Sequence, residues 1–206
     1  MSLVLHHLNR SRSERLIWLL EELGAAYQLV RHKRDPQVNL APAALGDIHP
    51  MGKAPLLVHD GQVIAESGAI ALYLLEHFDP DHTLHPAPRS ANRAAFFEWL
   101  HGAEGAVFLP FLMNTYITAT GLEDSLLSQY MAGERAKALG AIEARLAASP
   151  YFAGDDFSAA DIMMGFQLEA AEERGGLPES SPVHGWLERV RARDGHKRMR
   201  AVTAGD

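Results

Sequence analysis

Two hydroxyls and two arginines stand at the foot of an apolar-striped stretch, SRSERLIWLLEELG, residues 11–24. If a helix starts there, its free N–H groups and partial positive charge stabilise an anion, and the Ser11 hydroxyl can donate to a thiolate. A free thiol has a pKa of about 8.5, which a helix N-terminus or a nearby cation lowers by one or more units. Each unit is worth about 1.4 kcal/mol of thiolate stabilisation. Arg12 and Arg15 either add a positive field or are ordinary surface side chains. The same residues have a structural reading, because Ser11-x-x-Glu14 matches a capping box and serine is a favoured N-cap. The chain contains no cysteine. Disulfides, thiolate metal sites and a cysteine nucleophile are therefore excluded, and any thiol chemistry needs sulfur that arrives on a ligand.

Three other stretches carry residues of chemical interest. MGKAPLL (51–57) is either a turn with proline at the first position of a strand or a site built on a cis Pro55. A cis bond would turn the Ala54 N–H and C=O outward to pair with an extended peptide, and Lys53 beside it can hold a carboxylate. In AESGAI (65–70), Ser67 either caps the helix it starts or works with Glu66 to bind both ends of an amino acid. Glu66 would take the ammonium, and Ser67 with the helix amides the carboxylate. FSAADI (157–162) reads as structure: Ser158-x-x-Asp161 is a capping box, and Phe157 with Ile162 a hydrophobic staple. No His-x-x-x-His pair lies on an apolar helix. His77, His82 and His85 fall around a linker, where chance clustering is the simpler explanation, so no metal is expected. The Gly-rich nucleotide, phosphate-loop and nucleophile-elbow motifs are missing from the sequence.

These residues need elements to hold them. The 206 residues allow one large domain or two small ones. Residues 3–7 read as a strand, followed by a helix with Leu16, Leu19, Leu20 and Leu23 on one stripe and closed by Gly24. Residues 26–32 alternate as a second strand, which implies a parallel pair. A polar, irregular stretch leads to a hairpin over 55–66, turning at Asp60-Gly61, and then to a helix over 67–78. The order β-α-β then β-β-α is a thioredoxin-like arrangement within residues 1–79. Residues 80–90 are Pro-rich and aperiodic, hence a linker. An all-helical domain follows over 91–206, with helices near 90–118, 123–148, 158–174, 182–192 and 195–204. Pro110 is expected to kink the first of them. The stretch 158–171 is apolar around most of its circumference and is expected to be a buried central helix.

The formal charge of −7 argues against a nucleic-acid surface. A local exception, Arg189, Arg191, Arg193, Lys197, Arg198 and Arg200, reads as a solvated helix face. No apolar run approaches the roughly 18 residues of a membrane span, and the first residues lack the pattern of a signal peptide. The expectation is a cytoplasmic protein that engages neither membrane nor nucleic acid.

Taken in order, SRSERLIWLLEELG, HPMGKAPLL, ESGAIALYLLEHF, the Pro-rich linker and FSAADIMMG resemble the glutathione transferase family over essentially the whole chain. The opening is most similar to serine-type members from bacterial and fungal cytosol, in which a serine four residues before an arginine activates the cofactor. Ser11 and Arg15 have that spacing. The resemblance implies that the missing sulfur is that of glutathione and that Ser11 steadies its thiolate, with Asn9 and Ser13 close enough to compete for the role. It implies that Lys53 holds the glycine carboxylate. Ala54 would pair with the cysteinyl backbone through a cis Pro55, and Glu66 with Ser67 would bind the γ-glutamyl end. The helical domain would supply the pocket for a small hydrophobic electrophile, with Phe108, Leu112 and Tyr116 as its walls. A homodimer is implied as well. The Ser-Ser-Cys motif of the zeta-type isomerases is absent, which counts against maleylacetoacetate isomerisation. Conjugation is the leading activity. Glutathione-dependent peroxide or disulfide reduction, or a non-catalytic glutathione-binding module, are the alternatives.

Overall fold

A computed structural model describes residues 2–206. The chain forms two compact units. One contains the residues through His82 together with Arg191–Asp206, and the other is Thr83–Val190.

The first unit is built on a four-stranded sheet in the order β2-β1-β3-β4. Its elements are β1 (Leu3–Leu8), α1 (Glu14–Leu23), β2 (Gln28–His32), α2 (Ala44–Ile48), β3 (Leu56–His59), β4 (Gln62–Ala65) and α3 (Ser67–Phe78). β1 and β2 are parallel, with Leu5 opposite Leu29, as the expected β-α-β opening requires. β3 pairs antiparallel with both β1 and β4. The hairpin turns where expected: Asp60 has φ 47° and Gly61 φ 86°, and two successive positive φ values suit a tight two-residue hairpin turn. Along β1 the alternate residues Leu3, Leu5 and His7 are buried, so a histidine occupies a place in an otherwise apolar row.

Helix α1 buries Arg15, Leu16, Ile17, Trp18, Leu19 and Leu20, a wider face than the leucine stripe alone. Each aliphatic side chain removed from water there contributes about 1.5–3 kcal/mol. Gly24 ends the helix with φ 62°, a left-handed conformation that glycine adopts without a Cβ penalty. Helix α2 falls within the stretch read as irregular. It is five residues long and buries only Leu45, so it leaves almost no periodic signal.

The last helix, Asp194–Thr203, also belongs to this unit and packs on α1. Arg193 donates to both carboxylate oxygens of Glu22 at 2.9 Å, and Arg198 donates to Glu21 at 3.0 Å. A Cβ added at Gly195 would lie 2.5 Å from Glu22 Cδ, so any larger residue there must push the Glu22 carboxylate aside. The basic tail is therefore not simply a solvated face, because two of its arginines fasten the helix to acids on α1.

The second unit is helical: α4 (Arg93–Gly102), α5 (Phe108–Thr120), α6 (Leu126–Ala148), α7 (Ala159–Glu173) and α8 (Val183–Arg191). The interruption expected at Pro110 lies a turn earlier, where Ala103–Val107 is a π-helical turn joining α4 to α5. Pro110 has no N–H to offer the carbonyl four residues back, and its ring crowds that carbonyl. Widening the preceding turn is one way a helix absorbs such a defect. Helix α7 is buried along most of its length and starts with the expected capping box. Asp161 accepts from the Ser158 N–H at 3.0 Å and hydroxyl at 3.1 Å, the Phe152 N–H at 3.0 Å and the Trp186 indole N–H at 2.9 Å. Phe152 packs between Trp99 and Trp186, with ring centroids 4.8 Å and 5.2 Å away.

Candidate functional site

One cavity in the first unit is lined by Arg12, Met51, Lys53, Ala54, Pro55, Ala65, Glu66 and Ser67. Two connections meet there: the turn into β3, which contains the cis Ala54–Pro55 bond, and the passage from β4 into α3. Glu66 occupies the position before the helix with φ 72° and ψ 121°. A non-glycine residue there costs on the order of 1–3 kcal/mol and is retained where its surroundings over-determine it, often at a binding site. Ser67 is the first helical residue and is buried. It does not cap α3, because the N-cap position belongs to Glu66, which makes no side-chain cap bond.

Among the described residues, no hydrogen bond or ion pair engages the side chains of Lys53, Glu66 or Ser67. A cation, a carboxylate and a hydroxyl thus face one cavity without internal partners, next to the amides that open α3. This donor and acceptor set suits a small molecule with a carboxylate at one end and an amino-acid group at the other.

Ser11 lies outside the lining of that cavity, one residue before Arg12, which is part of it. Helix α1 begins at Glu14 with Ser13, not Ser11, at the N-cap position. Ser11 Oγ accepts the Ser13 N–H at 3.2 Å, a contact two residues away rather than the bond to the N3 amide that a capping box requires. The Ser11 hydroxyl also lies 2.7 Å from the Ser13 hydroxyl. Ser13 Oγ is in turn 2.7 Å from His7 Nδ1, and His7 Nε2 is 2.6 Å from a carboxylate oxygen of Asp206. Burial pushes the His7 imidazole below its ordinary range, while the Asp206 hydrogen bond pulls the other way.

Asn9 Oδ1 accepts the Arg34 N–H at 3.1 Å, so its acceptor is committed to the backbone of a neighbouring loop. Arg15 is not a surface side chain. It is buried, with its Nε donating to the Arg12 carbonyl at 3.3 Å. Phe108, Leu112 and Tyr116 lie four residues apart on α5, in the second unit. Phe108 and Leu112 are half-buried and Tyr116 is exposed.

The residues that local motifs overlooked are His7 and Asp206. The signal for His7 was its place in the inward row of β1. Asp206 left none, since its contact spans nearly the whole chain.

The chain matches the model for the glutathione S-transferase N-terminal domain over residues 2–76 and that for the C-terminal domain over residues 126–200. It is 31% identical to glutathione S-transferase 1 of Saccharomyces cerevisiae, with 93% of this chain and 91% of that protein covered. The chain belongs to the glutathione transferase family. It is also 31% identical to glutathione S-transferase 3 of Schizosaccharomyces pombe, covering 82% of this chain and 74% of that protein. A crystal structure of a glutathione S-transferase from Actinobacillus pleuropneumoniae superposes with a TM-score of 0.87 at 26% identity, over 98% of this chain and 93% of that one. The transferase therefore has the fold expected from its sequence, a thioredoxin-like sheet unit followed by helices.

Proposed function

We propose that this transferase binds glutathione in the cavity of its first unit and conjugates the thiolate to small hydrophobic electrophiles. The observation that carries the reading is the gathering of Lys53, Glu66 and Ser67, whose side chains have no partners among the described residues, around one cavity. Lys53 takes the glycine carboxylate, Ala54 pairs with the cysteinyl backbone, and Glu66 with Ser67 takes the γ-glutamyl end. Ser11 meets the sulfur. Residues 1–79 act as the glutathione-binding domain, joined by residues 80–90 to a helical domain over 91–206 that supplies the electrophile pocket, with Phe108, Leu112 and Tyr116 as walls.

Two copies of the chain form a homodimer, the site-bearing domain of one packing on the helical domain of the other. Large exposed apolar side chains support an interface: Val38 and Leu40 are 61% and 59% exposed, and Leu126 and Tyr130 on α6 are 81% and 60% exposed. No helix among the described residues is long and apolar enough to cross a membrane, and the enzyme works in the cytoplasm.

Retention on a glutathione column followed by assay against a panel of small electrophiles tests the reading. Binding with turnover of at least one electrophile supports it. No binding at millimolar glutathione overturns it. Sedimentation as a single species at the monomer mass of 22.6 kDa would overturn the dimer.

A further inference from the structure

Four side chains of the first unit form one continuous hydrogen-bonded line: Asp206, His7, Ser13 and Ser11. The steps are 2.6 Å, 2.7 Å and 2.7 Å. The directions of these bonds follow from proton counting. The Asp206 carboxylate can only accept, so His7 Nε2 carries the proton and donates to it. Neutral His7 then has a lone pair at Nδ1, which needs a donor, and the facing group is the Ser13 hydroxyl. Ser13 has one proton to give. Its Oγ is also near the Leu8 carbonyl at 3.2 Å and accepts the Leu8 N–H at 3.1 Å, but turning its proton to Leu8 would set two lone pairs against each other at 2.7 Å. With the Ser13 proton on Nδ1, the contact between the two hydroxyls must be filled by the proton of Ser11.

In the resting enzyme, therefore, Ser11 donates inward and turns a lone pair outward. A serine so arranged cannot donate to a thiolate. It can accept a proton from a thiol. To become a donor, it needs Ser13 to donate to it, which in turn needs His7 Nδ1 to carry a proton.

We propose that Asp206, His7 and Ser13 are a proton relay that takes the thiol proton of bound glutathione through Ser11, an inference that rests on the reading that the sulfur meets Ser11. The sulfur's proton passes to Ser11 Oγ as the Ser11 proton passes to Ser13 Oγ and the Ser13 proton to His7 Nδ1. Both serines end as neutral hydroxyls with their bonds reversed. The products are a thiolate, which now accepts from Ser11, and an imidazolium, which donates to Asp206 and to Ser13. No proton leaves the complex in this step. His7, Ser13 and Asp206 act through Ser11 and are positioning and relay residues.

The charged and titratable groups around the imidazole set its readiness. Asp206 favours the proton. Arg31, on the neighbouring strand and 3.4 Å from Asp206, opposes it, as does His32. Together with burial they leave His7 neutral, with its lone pair ready, before glutathione arrives.

The test is a titration of enzyme carrying 15N-labelled histidine, with glutathione and in parallel with S-methylglutathione, which has no thiol proton. The His7 resonance is assigned by its loss in His7→Gln. Glutathione is expected to convert His7 to the imidazolium and S-methylglutathione to leave it neutral. Calorimetry in buffers of different ionisation enthalpy should then count fewer protons released than thiolates formed by ultraviolet absorbance. In Asp206→Asn and Ser13→Ala the two counts should match. The thiolate-to-thiol ratio at neutral pH should fall about tenfold, equivalent to one pKa unit. Thiolate formation with His7 still neutral in the wild type overturns the relay while leaving glutathione binding intact. Binding of neither ligand overturns the glutathione reading and the relay with it. The comparison of protons released with thiolates formed in the wild type needs no variant, and equal counts there overturn the relay, so misfolding of a mutant cannot decide the matter.

Discussion

Asp161→Ala should be the most damaging single substitution in the helical unit. The carboxylate is buried and accepts from three N–H groups, those of Phe152, Ser158 and the Trp186 indole, each on a buried residue. Alanine removes the acceptor from all three. The Ser158 hydroxyl, the fourth donor, can rotate to another partner. A buried donor left unpaired costs about 1–3 kcal/mol, so the uncorrected sum is about 3–9 kcal/mol. Water entering the vacated space recovers part of this, and the expected loss is roughly 3–5 kcal/mol, comparable with the whole stability of many domains. Asp161→Asn should cost less, about 1–3 kcal/mol. Its carbonyl can still serve Phe152 and Trp186, whereas its amide N–H groups oppose the Ser158 N–H.

Urea unfolding followed by far-ultraviolet circular dichroism and by tryptophan fluorescence measures both variants. Two of the three tryptophans, Trp99 and Trp186, pack on Phe152 beside the network while Trp18 lies on α1, so coincidence of the two probes shows whether the network holds the unit or only its own corner. An Asp161→Ala loss below about 1 kcal/mol, with an unchanged m-value, would refute the reasoning, since one unpaired amide alone should cost that much.

Lys53→Ala and Glu66→Gln should each weaken glutathione binding roughly two- to fivefold, from about 0.5–1 kcal/mol for an exposed charged contact. The Lys53 effect should shrink in high salt, and calorimetry that finds neither loss removes both residues from the site. Acid should destabilise the first unit. Burial lowers the pKa values of His6, His7 and His32 below the ordinary 6.5, with His32 adding to the effect on His6. Below that value the unfolded chain binds protons that the folded chain refuses, so stability is full above it and falls as pH drops through the folded values. Urea midpoints measured from neutral pH down to about pH 5 should decline, less steeply in His7→Gln, and a flat profile contradicts the expectation. Arg193→Ala should cost about 1–3 kcal/mol, because Glu22 is left mostly buried without its cation. Gly195→Ala displaces the same carboxylate, so the double variant should lose less than the sum of the two, as a double-mutant cycle would show.

The parts of the fold that could be read in the sequence are those set by near neighbours. The hairpin turn needs two adjacent positive φ values, and Asp60-Gly61 supplies them in one dipeptide. Helix α3 spans the expected residues because its apolar spacing and both its boundaries are local. Helix α2 and the π-helical turn escaped for the opposite reason. One has a single buried leucine, and the other responds to a proline three residues beyond its own end. The basic tail was misjudged because its acids, Glu21 and Glu22, lie on a helix more than 170 residues away in sequence. Charge alone does not tell a solvated face from a paired one.

The Ser11 region shows the same division within a single site. Hydroxyl type, helix start and nearby arginine are all visible in five residues, and on those residues alone the cap is the simpler reading. The start of α1 at Glu14, with Ser13 at the N-cap position, rules out the cap, and the catalytic reading turns on the direction of one O–H bond. That direction is set by the tautomer of His7, and the tautomer by a carboxylate 199 residues further along the chain. A serine at a helix start with its proton free is a donor from the outset. In the proposed relay the Ser11 proton is committed inward until a proton arrives from the bound thiol. In that relay the thiol that needs activating is also the group that reorients its activator, and the cost of burying a charged imidazole in β1 keeps His7 neutral, with its lone pair open, until then.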